Sequence, residues 1–189
     1  MTAPPLVAVL LGTDHHPFDR LVTWTAEVRR ATGADVFVQH GATRLPADLP
    51  GAPMLGSAEL SALLERAAVV VTHGGPGLIM EARVAGHVPV VVPRDPRLGE
   101  HVDDHQLRFV AHIAGSGLVA AAPQLATFRR AVALALGAGA LGSSAPSPAS
   151  SSAAGPGTSP LPTSPLATAA AEPAAERFAR FIDDLVRRA

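Results

Sequence analysis

The sequence predicts an α/β fold, one parallel sheet with helices packed on both faces. Three observations carry the prediction. Residues 6–11 (LVAVLL), 68–72 (AVVVT) and 88–92 (VPVVV) are continuous apolar runs rather than alternating ones, the pattern of strands buried on both sides. A glycine or proline breaks the chain after each run. Between runs, apolar residues return at helical spacing, and this strand–loop–helix alternation implies right-handed crossovers in a parallel sheet.

The elements follow in order. The first strand, 6–11, ends at Gly12-Thr13-Asp14. Residues 18–32 read as a helix with Leu21, Val22, Trp24, Thr25 and Val28 on its apolar side, stopped by Gly33. Residues 35–39 (DVFVQ) form the second strand, ended by His40-Gly41. A short strand is expected at Met54-Leu55, then a helix over 57–67 capped by Ser57. The strand 68–72 runs into His73-Gly74-Gly75-Pro76-Gly77, a helix follows over 78–85, and Gly86 closes it. After the strand at 88–92, helices are expected over 101–115 and 124–136, with a short strand at Leu118-Val119 between them. In such a sheet all the strand C-termini lie on one edge. The loops 12–17, 40–41, 73–77 and 93–105 therefore gather on one rim, where open α/β sheets bind ligands.

The compact region is taken as 1–136. Residues 137–172 change to Ala, Ser, Pro, Gly and Thr without periodicity, a composition that cannot bury enough apolar surface to offset chain entropy and reads as a disordered linker. Residues 173–189 recover a helical pattern with Phe178, Phe181, Ile182 and Leu185 on one face, an amphipathic helix suited to docking.

Composition excludes several functions. Fifteen basic residues, all arginine, meet 16 acidic ones for a net charge of −1, so there is no basic stripe for nucleic acid. With no cysteine, a disulfide framework, a thiolate metal site and a cysteine nucleophile are all out. The first residues lack a basic signal-peptide region, and no apolar run reaches the roughly 20 residues of a membrane span. A soluble cytoplasmic protein is expected.

The segment from Thr72 to Glu81 is the most informative. A buried strand enters a glycine-rich turn and then a helix, whose unpaired N–H groups and partial positive charge suit a diphosphate. Glu81 lies about a turn into that helix, where a carboxylate can accept hydrogen bonds from ribose hydroxyls. The segment is neither a Walker P-loop nor a GxGxxG fingerprint. His101 and His105 stand four residues apart beside Asp103 and Asp104, and His15-His16 follow Asp14, which raises a metal site. There is no HExxH, and the expectation is no metal and no cofactor. Arg94 and Arg97, after the 88–92 strand near the rim, could touch phosphate or a partner chain, but read first as solvated arginines.

HGGxG with a Glu four residues on, then GxPxVxVP over 86–93, then a loop ending in His105-Gln106, resembles the C-terminal domain of glycosyltransferase family 28. That family includes MurG-like enzymes and small Alg13-like subunits. The opening, with Gly12-Thr13-Asp14, Pro17-Phe18-Asp19 and Leu21, is similar to the Alg13-type start, and Gln39-His40-Gly41 to the Alg13-type end of the second strand. Pro76 departs from the Ser, Ala or Thr usual there, and Asp14-His15-His16 from the MurG-like turn.

The resemblance, which spans about residues 6–136, implies a single Rossmann-like half-domain of GT-B type. It implies that Gly12 and Thr13 approach the diphosphate of a UDP-sugar, UDP-GlcNAc or UDP-glucuronate by default. His73, Gly74, Gly75 and Gly77 would face the nucleotide and phosphates, Glu81 would hold the ribose, and Gln106 would bind donor-sugar hydroxyls with His105 beside it. His16 would contact the phosphates or shape its turn. Hexosyl transfer without a metal, in exopolysaccharide synthesis, follows from the same likeness. The general base and acceptor site would lie on an Alg14-like membrane-attached partner, which would recruit the chain to the inner face of the membrane and present a lipid-linked acceptor. Other readings are a non-catalytic nucleotide-sugar-binding or interaction domain, and a UDP-sugar 2-epimerase, which the length disfavours.

Overall fold

The computed structural model describes residues 3–142, with side chains to residue 137. Contacts divide the chain into two units, Met1–Leu141 and Gly142–Ala189, and the first is described here. Six parallel strands, β1 (Leu6–Leu10), β2 (Asp35–Gln39), β3 (Gly51–Ala52), β4 (Val69–His73), β5 (Val90–Val92) and β6 (Ala120–Ala121), form one sheet in the order β3-β2-β1-β4-β5-β6. The order reverses between β1 and β4, the topological switch point of a doubly wound sheet. The helices are α1 (Asp19–Thr32), α2 (Ser57–Arg66), α3 (Pro76–Val84), α4 (His105–Ile113) and α5 (Leu125–Gly142).

The continuous apolar strands fill two cores by simple alternation. Val7, Val9 and Leu11 point to one face and pack with Leu21, Val22 and Val28 of α1 and Phe128 and Val132 of α5. Ala8, Leu10 and Val70 point to the other and meet Leu63 and Leu64 of α2 and Ala82 of α3. Each fully buried aliphatic side chain contributes about 1.5–3 kcal/mol relative to exposure, so the central strands β1 and β4 anchor the rim above them.

Several expected boundaries move, each for a local reason. The short third strand is Gly51–Ala52, registered against Val38 and Gln39, whereas Met54-Leu55 lies beyond it in the loop. Gly56, not Ser57, caps α2, and its N–H donates to the Glu59 carboxylate at 2.7 Å. Helix α3 starts at Pro76 rather than 78, because proline at the first helical position forgoes only an N–H that has no partner there anyway. Helix α4 starts at 105 rather than 101, with Asp104 at its N-cap and a 3-10 turn at Pro96–Leu98 before it. The last strand sits at Ala120–Ala121 instead of Leu118-Val119. Helix α5 runs to Gly142, past the expected boundary at 136. The rest of the expected linker and the 173–189 helix lie outside the described residues.

Candidate functional site

The ends of β1, β2 and β4 build a crevice of about 390 Å³ at the switch point, lined by Gly12, Thr13, Gln39, Met54, Leu55, Leu60, His73, Gly75, Pro76, Gly77 and Leu78. Gly12 takes φ +78°, and a Cβ there would stand 2.7 Å from His73 Nε2, so only glycine lets β1 turn this close to the imidazole. Gln39 clamps that turn. Its Oε1 accepts from the Gly12 N–H and its Nε2 donates to the Gly12 carbonyl, both at 3.0 Å, and Nε2 also donates to the Pro53 carbonyl at 2.8 Å. Thus β2 fixes the β1 turn and draws the Met54-Leu55 loop over as an apolar wall.

The opposite wall is the glycine-rich turn into α3. Gly75 is the N-cap and Pro76 the first helical residue, so the positive end of the α3 dipole opens on the crevice. A Cβ on Gly75 would lie 2.1 Å from His73 Cε1, which explains glycine here by close approach. The Gly75 N–H donates to His73 Nδ1 at 2.9 Å. The ring is therefore neutral with its proton on Nε2. Burial and then the charge of Arg94 lower the His73 imidazole from 6.5 to about 4, which keeps it neutral at pH 7.

Gln106 on α4 is buried behind this turn. Its side-chain oxygen accepts from the Gly74 N–H at 3.0 Å and the Arg94 N–H at 3.2 Å. Two backbone donors identify that atom as the oxygen, and the amide NH2 donates to no group among the described residues. Glu81 is exposed on α3, and its carboxylate makes no hydrogen bond or ion pair among the described residues.

The structure thus gathers Gly12, Thr13, His73, Gly75 and Gly77 around one crevice. Gly74 and Gln106 stand behind it, and Glu81 lies further along α3. His16 and His105 do not line the crevice. They belong to a polar cluster on the same rim, where the β1–α1 loop meets the loop after β5. Asp14 is its centre, accepting from the His16 N–H and from His16 Nδ1, both at 2.7 Å. Burial would raise the Asp14 carboxyl, but the His16 hydrogen bonds and the charge of Arg94 outweigh it and hold it at about 2.

Arg94 is not solvated. It is 1% exposed. Its NH1 donates to the carbonyls of His16 at 2.8 Å and Glu100 at 3.0 Å, its NH2 to that of Leu11 at 2.8 Å, and its guanidinium lies 4.7 Å from the Phe18 ring centroid. Glu100, also buried, takes a two-pronged ion pair from Arg20 at 2.8 and 2.7 Å. Arg97 is exposed and pairs with Asp95, as expected of it. Gln39, Arg94, Arg20 and Glu100 escaped the sequence reading. Only the Gln39-His40-Gly41 string carried a signal, since Arg20 meets Glu100 across 80 residues and Arg94 meets Leu11 across 83.

The doubly wound sheet with a glycine-lined crevice at its switch point defines a Rossmann-like class of α/β domain. Residues 25–130 match the glycosyltransferase family 28 C-terminal domain, and the chain belongs to that family. No curated protein matches the chain. Its fold is similar to that of CalG4, the calicheamicin glycosyltransferase, with a TM-score of 0.50 and 19% identity over 72% of this chain and 34% of that one. The spinosyn rhamnosyltransferase SpnG, complexed with spinosyn aglycone, gives 0.49 and 21% over 75% and 41%. The chain spans well under half the length of these structures, and its fold is one half of the GT-B type. Among the described residues no helix is long and apolar enough to cross a membrane.

Proposed function

We propose that the chain is the donor-binding subunit of a two-component glycosyltransferase that takes a hexosyl group from a UDP-sugar, UDP-GlcNAc or UDP-glucuronate. The observation that carries this reading is the crevice at the β1/β4 switch point, with the N-terminus of α3 opening onto it. In this reading the base rests on the apolar wall of Met54, Leu55 and Leu60. The exposed carboxylate of Glu81 accepts from the ribose hydroxyls, and the free amide of Gln106 donates to the sugar.

Sugar transfer builds negative charge on the leaving diphosphate. The Thr13 N–H at the β1 turn and the N–H groups of Gly77 and Leu78 in the first turn of α3 stabilise that charge in place, without reorganisation during the reaction. Neutral His73 offers its Nε2–H beside Gly12 as a further donor. The general base that deprotonates the acceptor hydroxyl belongs to a second, membrane-attached Alg14-like chain. That chain presents a lipid-linked acceptor and recruits this one to the membrane face.

Calorimetric titration of the purified chain with UDP tests the donor site. Saturable binding that weakens about tenfold in Glu81→Ala, about 1.4 kcal/mol, is the expected result. Absence of binding by the wild type would sink the reading in favour of a nucleotide-free interaction domain.

A further inference from the structure

Four of the chain's eight histidines meet on the rim beside the crevice, from two loops more than 80 residues apart in sequence. His15 and His16 come from the β1–α1 loop, His101 and His105 from the start of α4 and the loop before it. Ring centroids lie 3.9 Å apart for His15 and His16, 6.0 Å for His16 and His101, and 4.6 Å for His101 and His105. Two carboxylates sit among them, and the ligand atoms of His101, Asp103 and His105 all lie within 4.8 Å of one another.

We propose that His101, Asp103 and His105 form a binding site for a divalent transition-metal ion of the zinc class, with Asp14 as the group that orients His101. The two nitrogens of His101 have separate tasks. Nδ1 faces Asp103 Oδ1 at 3.5 Å, and the Asp103 oxygen is also bonded by His105 Nδ1. Nε2 faces Asp14 Oδ2 at 3.4 Å. Ligands bound to one tetrahedral ion at about 2.0–2.2 Å stand roughly 3.3 Å apart, so this trio needs only small side-chain adjustments to close on an ion.

A metal-bound histidine typically donates its other N–H to a carboxylate, which fixes the tautomer and the ring plane. Asp14 supplies that carboxylate from the far loop. It is itself held by two bonds from His16, and the ring of His101 is only 12% exposed. Two imidazoles and one carboxylate suit zinc, cobalt or nickel better than magnesium or calcium, which prefer all-oxygen sites. Three protein ligands leave a fourth position open, as in catalytic rather than structural zinc sites. The proposal does not depend on the donor reading, and it departs from the sequence expectation of no metal. That expectation rests on the missing HExxH and on the place of His105 in the family pattern.

The test is titration of the full chain, stripped with a chelator, with Zn²⁺ by calorimetry and with Co²⁺ by absorption, in the absence of nucleotide. One equivalent is expected to bind, with the intense visible bands of tetrahedral Co²⁺. Asp14→Asn should weaken binding about 10–100-fold, and His101→Ala and His105→Ala more than that. His15→Ala, which removes an exposed imidazole outside the trio, should leave affinity unchanged. His105 is half-exposed, so His105→Ala keeps the test valid if the Asp14 or His101 variants fail to fold. Binding that persists unchanged in His105→Ala, binding lost equally in His15→Ala, or no saturable Zn²⁺ binding by the wild type would each overturn the proposal.

Discussion

The two sides of the rim are built by opposite means. On the crevice side, where β1 meets β4, backbone does the work. Gly12 and Gly75 leave room that no side chain could share with His73, and the start of α3 supplies N–H groups. On the other side, where the β1–α1 loop meets the loop after β5, side chains do it. Arg94 ties Leu11, His16 and Glu100 together, Arg20 grips Glu100, and Asp14 sits between His16 and His101. A site made of backbone yields to added bulk, whereas one made of buried side chains yields to removed partners.

The largest effect should come from removing the hub of the side-chain half. Arg94→Met leaves the carbonyls of Leu11, His16 and Glu100 without this donor and removes a buried positive charge beside Asp14 and Glu100. The expected loss is about 3–5 kcal/mol, read by urea denaturation. A loss under about 1 kcal/mol would mean that the loops hold their shape without it, and the contrast between the two sides would collapse.

Acid should come next, because both sides carry a group held far from its ordinary range. His73 titrates near 4 in the fold against 6.5 unfolded. Below 6.5 the unfolded chain therefore binds a proton that the fold refuses, and stability falls down to about pH 4. Asp14, near 2 against 3.8, contributes stability above 3.8 that is lost as pH falls towards 2. The His73 window amounts to at most about 3 kcal/mol, less to the extent that the ring is solvated. His73→Asn, whose side-chain oxygen can accept from Gly75 as Nδ1 does, should flatten stability between pH 6.5 and 4. An unchanged pH profile in that variant would show the imidazole to be uninvolved.

Glu81→Ala sharpens the contrast from the ligand side. It should reduce UDP affinity about tenfold with no change in melting temperature, because the carboxylate has no partner among the described residues. Smallest of all is Arg97→Ala. Its exposed pair with Asp95 is of the kind that contributes little in water, and calorimetric melting should not register the change.

The same contrast explains what the sequence made legible. The central strands announce themselves because both faces are buried, so Leu6–Leu10 and Val69–His73 are apolar throughout. The turn at His73-Gly74-Gly75 is visible because close backbone approach demands glycine locally. The side-chain half is silent, because Arg94 looks like any arginine after a strand until Leu11, 83 residues earlier, offers its carbonyl. Residues 101–104 looked helical by composition, yet His101 is turned towards Asp14 and α4 begins only after Asp104. Short edge strands such as Ala120–Ala121 have too few residues for a pattern to show.

The central claim, that a UDP-sugar donor sits at the switch point between β1 and β4, is tested most directly at Gly77. This residue lines the crevice, lies in the first turn of α3, and a Cβ there would meet nothing within 4 Å. Gly77→Leu should therefore preserve or slightly raise stability, since glycine inside a helix costs about 0.5–1 kcal/mol relative to alanine, while filling the space in front of the helix N-terminus. Titration with UDP should show affinity reduced at least about tenfold, 1.4 kcal/mol, in a variant that melts no lower than wild type. Wild-type affinity in the folded Gly77→Leu chain would place the nucleotide elsewhere and contradict the account.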